Sequence, residues 1–450
     1  MTERRDEALG AALSELEVPE HGPEFHVVLI ARLAEEAAGQ ISSQPTGRRP
    51  PRQVFRPGPW TWGLSAAAVV LLAVLVVISS LPGASLRVAT AAEVRDAVVR
   101  AWARAESVSG ILVSRAPRVF EEGTQRWSFI LTSRGDFRLD DLTRGGSVVY
   151  DAETGVERGF NPSESIRDGQ ALFASERRGL PPGPPDQGPS SSILDRGLGS
   201  VVRALALVGG GRVKEVTYDG RPAWLLDTDI RVNLIVPKLS PDHLAVTVDQ
   251  ATGFPVRVVA THDDEFVWET RIEDLEVNQE VTEDAFRLEF PAQVKVFREN
   301  LGFRRVPVEA MREIVGYDPL VPSWVPQGYE PAETTVSKNG DFTGAEGANP
   351  PAGDVVSLSY RRGLDQFIVT TRPVGADPSL WGDPLASGEG YRDEPDRVTL
   401  RSGALAGETG EFLIDPLAIP HMWVKTNRLV VTVSGDLSRD ELLRVAESLG

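Results

Sequence analysis

The chain has 450 residues, more than one hydrophobic core usually serves, so more than one folded unit is expected. With 41% apolar and 25% charged residues it is neither a wholly disordered chain nor a multi-spanning membrane protein, and a formal charge of −18 argues against nucleic acid as a partner. The absence of cysteine excludes disulfides, Cys-ligated zinc, thiol nucleophiles and lipid-modified cysteines.

At the N-terminus, Leu9, Leu13 and Leu16 recur at helical spacing, as do Phe25, Val28, Leu29 and Leu33. Two short amphipathic helices are expected, separated by Val18–Pro23. Two readings stand side by side: a tail with transient helices, or a docking site in which Leu9, Leu13, Leu16, Phe25 and Leu29 face a cytoplasmic partner. Gly39–Pro59 is a proline-rich basic linker that completes a segment covering residues 1–58.

Between Pro57 and Leu86 no residue is charged, and Leu64–Leu81 approaches the roughly 20 apolar residues that span a bilayer. Trp60 and Trp62 mark the front edge, where indole rings favour the headgroups, and Pro82-Gly83 breaks the helix behind. A single transmembrane helix over 60–82 is therefore expected. Arg48, Arg49, Arg52 and Arg56 crowd its N-terminal side, which places the N-terminus in the cytoplasm and the rest of the chain outside the cell membrane. A secretory signal is the competing reading, with Ala89-Thr90-Ala91 as cleavage site. The long segment ahead of the apolar run opposes it.

Beyond the span, residues 91–106 predict a helix with Val94, Val98, Ala101, Trp102 and Ala105 on one stripe. Period-two alternation predicts strands at 110–115, 126–132, 136–140 and 147–151. A Pro-, Gly- and Ser-rich stretch, 158–192, reads as a long loop, and 193–207 as a helix stopped by Gly209-Gly210-Gly211. Strands resume at 214–218, 223–229, 244–249, 256–261 and 265–277. From about residue 305 a smaller α+β unit is expected: a helix at 308–315, a hairpin at 354–360 and 366–371, strands at 399–404, 410–413, 422–426 and 429–433, and a C-terminal helix capped by Ser438 and Glu441.

Three pieces carry a resemblance. They are the helix–strand opening at 91–115, the segment Val246–Val258 with its Asp249…Thr252-Gly253-Phe254-Pro255 turn, and Ile272–Phe286 with its Asp284-Ala285-Phe286-Arg287 tail. Residues 90–295 resemble the lipoprotein-carrier fold of LolA and of RseB, the periplasmic sigma-E regulator. The C-terminal part, with Leu320–Tyr329, Ser357–Tyr360 and Val433–Leu449, is similar to small domains that follow RseB-like or anti-sigma regions. The resemblance implies an α+β domain over 88–300: an unclosed barrel whose curved antiparallel sheet carries helices on its concave face, where acyl chains or a partner peptide are held. A smaller α+β domain over 305–450 follows it.

The strands themselves place large apolar groups on one face: Trp127, Phe129 and Leu131; Trp224 and Leu226; Val246 and Val248; Phe266 and Trp268. These nine are the candidate ligand face, for an acyl lipid or a lipoprotein. The alternative is that they make a filled core, and the sequence leaves this open.

Catalysis finds little support. The five histidines are dispersed, no Gly-x-Ser-x-Gly elbow or phosphate-binding loop occurs, and adjacent acids such as Glu121-Glu122 point to opposite faces of a strand. His262-Asp263-Asp264-Glu265 is the densest polar cluster, and it reads as a solvated turn rather than a metal site. Neither metal nor cofactor is expected. The functional expectation is a single-pass regulator of the cell envelope, not an enzyme. It would sense a lipid, lipoprotein or protein outside and signal to a cytoplasmic partner such as a sigma factor. A tethered lipid- or lipoprotein-binding module without cytoplasmic output is the alternative.

Overall fold

The computed structural model describes residues 89–116, 124–161, 173–180, 198–232, 241–292, 294–337, 354–374, 393–416 and 418–450. The apolar run 60–82, its basic linker, and Leu9, Leu13, Leu16, Phe25 and Leu29 lie outside these residues. Among the described residues no helix is long and apolar enough to cross a membrane.

Helix α1, Ala91–Arg104, starts at a capping box: the Thr90 hydroxyl accepts from the Glu93 N–H while the Glu93 carboxylate returns to the Thr90 backbone. Its stripe of Val94, Val98 and Trp102 is buried. It lies over the first of two sheets. That sheet is built from β1 (Ser107–Arg115), β2 (Thr124–Thr132), β3 (Phe137–Asp141), β4 (Ser147–Asp151), β5 (Val156–Phe160) and β6 (Phe173–Arg178). After helix α2 (Leu198–Leu207) follow β7 (Arg212–Tyr218), β8 (Arg221–Asp229), β9 (His243–Asp249), β10 (Pro255–His262), β11 (Glu265–Val277) and β12 (Lys295–Asn300).

The twelve strands run in the order β12-β6-β5-β4-β3-β2-β1-β11-β10-β9-β8-β7. Two meanders, β1–β6 and β7–β11, are joined where β1 pairs antiparallel with β11, and among the described residues β12 and β7 are the edge strands. It is thus a curved, unclosed sheet with helices on one face, the architecture that the resemblance implied. Gly253, at φ +75°, lets the β9–β10 turn press on α1, where an added Cβ would stand 3.1 Å from the Ala101 Cβ.

The second sheet has the order β13-β14-β15-β16-β20-β19-β18-β17. Its strands are β13 (Phe303–Arg305), β14 (Glu330–Ser337), β15 (Val355–Arg362), β16 (Asp365–Pro373), β17 (Asp396–Thr399), β18 (Thr409–Leu413), β19 (His421–Lys425) and β20 (Leu429–Gly435). The short helix α3, Met311–Val315, and the C-terminal helix α4, Arg439–Glu447, complete it. The predicted Ser438–Glu441 capping box opens α4, and Leu442, Val445 and Ala446 enter the core of this second sheet. Both sheets belong to one unit, Leu86–Gly450.

Two expectations about elements need correction. The stretch 158–192 is not one long loop, because β5 ends at Phe160 and β6 spans Phe173–Arg178. These strands escape a hydrophobic pattern because their charges pair with one another: Glu176 meets Arg158 across strands at 3.3 Å and Arg178 of its own strand at 3.1 Å, and Glu157 meets Arg177 across strands at 3.2 Å. Nor is 399–404 a strand. β17 ends at Thr399, the chain turns through Gly403 at φ +76°, and the Ala404 N–H donates to the Leu449 carbonyl beyond α4.

Candidate functional site

The candidate ligand face is largely one assembly, and it is covered. Trp127, Phe129, Leu131, Leu226, Val246, Val248 and Trp268 are buried in a single cluster with Val94, Val98 and Trp102 of α1 and Val201, Val202 and Leu205 of α2. Trp224 is partly buried against the same cluster. Cross-strand register explains the assembly, since Trp224 stands opposite Val248 and Leu226 opposite Val246. The helices fill this face with their own apolar stripes.

Phe266 does not belong to the cluster. Thr261 pairs with Phe266 but Ala260 pairs with Trp268, so Val267 is an extra residue in β11, and it takes the place in the core. Simple alternation fails past such a bulge. Phe266 is left half-buried, with the Arg115 guanidinium 5.2 Å over its ring.

A second constellation, which sequence reasoning missed, lies where the two sheets meet. The β15–β16 turn of the second sheet reaches the C-terminus of α1: the Leu364 N–H donates to the Trp102 carbonyl at 3.2 Å. The same carbonyl accepts the Ala105 N–H at 3.3 Å, so the turn adds a second donor at the helix end, where carbonyls lack full intrahelical partners. Gly363 sits beside it at φ +58°, and any Cβ there would run into the Ala103 carbonyl. Only glycine fits both the left-handed backbone and this approach.

Next to this turn, charges are buried. Arg203 of α2 lies 3.4 Å from Asp436, with side chains 7% and 10% exposed. The second Asp436 oxygen accepts the Gln366 N–H at 2.9 Å, and the Asp436 carbonyl accepts the Tyr329 hydroxyl at 2.7 Å. Asp365, also buried, receives Arg362 at 2.6 Å, and that guanidinium lies 4.5 Å over the Tyr329 ring. Burial, together with the nearby Asp436 charge, pushes the Asp365 carboxyl up to about 7 despite Arg362. Burial likewise raises the Tyr329 hydroxyl well above its ordinary value, so it stays protonated as a donor.

Further arginines stitch the sheets together elsewhere. Arg305 donates to the Ala152 and Glu153 carbonyls and meets Glu333 at 2.5 Å, and Arg361 donates to the Arg134 carbonyl. At another corner, Arg231 pairs with Asp393 at 2.7 Å. There a cavity of about 230 Å³ is lined by Ile230, Arg231, Val232, Pro241, Asp242, His262 and Asp393.

The histidines remain apart in roles. His21 and His26 lie outside the described residues. His421 is buried, its Nδ1 2.7 Å from the Ile419 carbonyl, while His243 pairs with Asp229 at 2.9 Å. His262-Asp263-Asp264 does form the β10–β11 turn, with Asp263 and Asp264 at φ 50° and 64°.

No protein-family model matches the chain, and no curated protein does. Among solved structures, it is similar to MucB in complex with MucA(peri), at 16% identity over 80% of this chain and 98% of that one, with a TM-score of 0.29. The Pseudomonas aeruginosa MucA/MucB complex gives 15% identity, the same coverages and a TM-score of 0.29. A LolA-superfamily protein from Nitrosomonas europaea gives 10% identity over 44% of this chain and 98% of that one, with a TM-score of 0.19. No function passes to this chain from likeness at that level.

Proposed function

We propose that the chain is a single-pass regulator of the cell envelope. Its two-sheet unit engages a partner outside, and its N-terminal helices pass that state to a cytoplasmic protein such as a sigma factor. The observation that carries the reading is the junction between the sheets, where buried charges stand beside the apolar contact of Leu364 with the first core. Polar junctions of this kind have alternative arrangements of similar energy more readily than a packed apolar core does, because charges released from each other regain hydration. The arginine-flanked apolar run 57–86 supplies the connection to the cytoplasm.

The covered apolar face favours a protein, or the polypeptide part of a lipoprotein, over a free acyl chain as the outer partner. A tethered module with no cytoplasmic output is the second reading. The Leu9–Leu16 and Phe25–Leu33 stripes favour the first, since a tether alone needs no amphipathic helix.

Crosslinking in native membranes, followed by mass spectrometry of proteins and lipids, tests the reading. A cytoplasmic protein should be captured by the intact chain and lost from Leu13→Asp with Leu29→Asp, while outer partners stay. Capture unchanged by the double substitution would leave the tethered module. Protease applied to wall-stripped cells should spare a tag on Met1 and digest residues beyond about 90; the reverse pattern would overturn the orientation.

A further inference from the structure

Asp242 stands twenty residues before His262 in the chain yet beside it in space. Its backbone is pinned on both sides: the Ile230 N–H donates to the Asp242 carbonyl at 2.8 Å, and the Asp242 N–H donates to the Thr261 carbonyl at 2.9 Å. These bonds hold the Asp242 backbone just ahead of β9. One Asp242 carboxylate oxygen then lies 3.2 Å from His262 Nδ1, and Asp263 Oδ2 lies 3.8 Å from His262 Nε2.

Three features of the cluster point to a cation. First, candidate ligand atoms of Asp242, His262 and Asp263 all lie within 4.8 Å of one another. Ligands at about 2.0–2.2 Å from one ion stand at most about 4.4 Å apart, so a small turn of the solvent-facing Asp263 side chain closes the set. Second, His262 Nδ1 is shut off from solvent without a hydrogen bond, although an Asp242 oxygen lies 3.2 Å away. A buried ring nitrogen without an aligned partner is uncommon. Third, among the described residues no lysine or arginine pairs with Asp242 or Asp263, and the nearby Arg231 is taken up by Asp393 at 2.7 Å. Two carboxylates therefore flank one imidazole, Asp242 at Nδ1 and Asp263 at Nε2, with no cationic side chain between them. The cavity of about 230 Å³ that Asp242 and His262 border has room for an ion and several waters, each of which needs about 30 Å³.

We propose that Asp242, His262 and Asp263 form a binding site for a borderline first-row divalent cation, with Zn²⁺ as the type. One imidazole and two carboxylates suit such an ion better than Ca²⁺ or Mg²⁺, which favour oxygen-only shells. The cavity supplies the remaining coordination positions as water.

Full-length protein, purified in detergent and freed of metal with a chelator, would be titrated with Zn²⁺ by calorimetry. One saturable equivalent is expected, with a Zn²⁺-dependent rise in Tm. His262→Ala and Asp242→Asn should each weaken binding by about tenfold or more, and His243→Ala, at the neighbouring histidine, should not. Because Asp242 also accepts the Asp263 N–H at 3.0 Å, its variant can disturb the turn. The half-exposed His262 provides the independent test, and the visible absorption of bound Co²⁺ should vanish in His262→Ala. No saturable binding, binding unchanged in His262→Ala, or binding lost in His243→Ala would each overturn the site.

Discussion

Arg203 and Asp436 form a buried ion pair, 3.4 Å apart, between a helix over the first sheet and the segment that leaves β20 of the second. Removing one member of such a pair strands the other charge away from water, which costs about 3–5 kcal/mol. Arg203→Met should therefore lower the free energy of unfolding by about that much in urea titrations. Adding Asp436→Asn to Arg203→Met should recover part of the loss, because the stranded charge is gone while the amide still accepts the Gln366 N–H. A double variant less stable than the sum of the two single ones would show that the pair is not the unit that matters.

Asp365 adds a pH dependence to the same junction. Its carboxyl is pushed up to about 7 in the fold, against about 4 in an unfolded chain, chiefly by burial and then by Asp436. The folded state thus holds this proton more tightly than the unfolded state. The contribution to stability is full below pH 4 and is lost as pH rises through about 7. Between pH 8 and pH 6 the Tm should rise with acidification, and Asp365→Asn, which never ionises, should flatten that rise. The titratable and charged neighbours Arg362, Asp436, Tyr329 and Glu441 remain in both proteins, so the difference reports on Asp365. Parallel Tm profiles in the two proteins would refute the assignment.

Local patterns made much of the first sheet legible. The expected bounds of β4 and β11 match the structure to the residue, and α1 follows its Val94–Val98–Trp102 stripe. What escaped was set by partners distant in sequence. β6 and β12 carry Glu176, Arg177, Arg178, Arg298 and Glu299, charges paired mostly across strands, so neither strand shows a period-two apolar signal. Phe266 was misplaced by one bulged residue. The junction was invisible for a related reason: Trp102 and Leu364, or Arg203 and Asp436, lie hundreds of residues apart, and nothing local in an arginine or a glycine-containing turn announces which helix end it will meet. Asp242 likewise joins His262 only through strand pairing.

Phe129 decides between a filled core and an acyl pocket. Its side chain is 1% exposed, within the cluster that α1 and α2 close over the sheet, and its strand neighbour Leu139 lies in the same cluster. Deleting a ring so placed forfeits its transfer free energy and leaves a void that rigid strands cannot collapse, at a cost of about 3–5 kcal/mol. Phe129→Ala in the full chain should therefore lose stability on that scale in urea titrations. A fluorescent fatty-acyl probe should leave the parent Tm unchanged, since a ligand that binds only the native state must raise it with concentration and a covered face gives the chain no place to bind. Phe266→Ala supplies the contrast, because that ring lies outside the cluster and its loss should cost well under half as much. A mild effect of Phe129→Ala together with a probe-dependent rise in Tm would mean that the helices open and that the face beneath them receives an acyl chain.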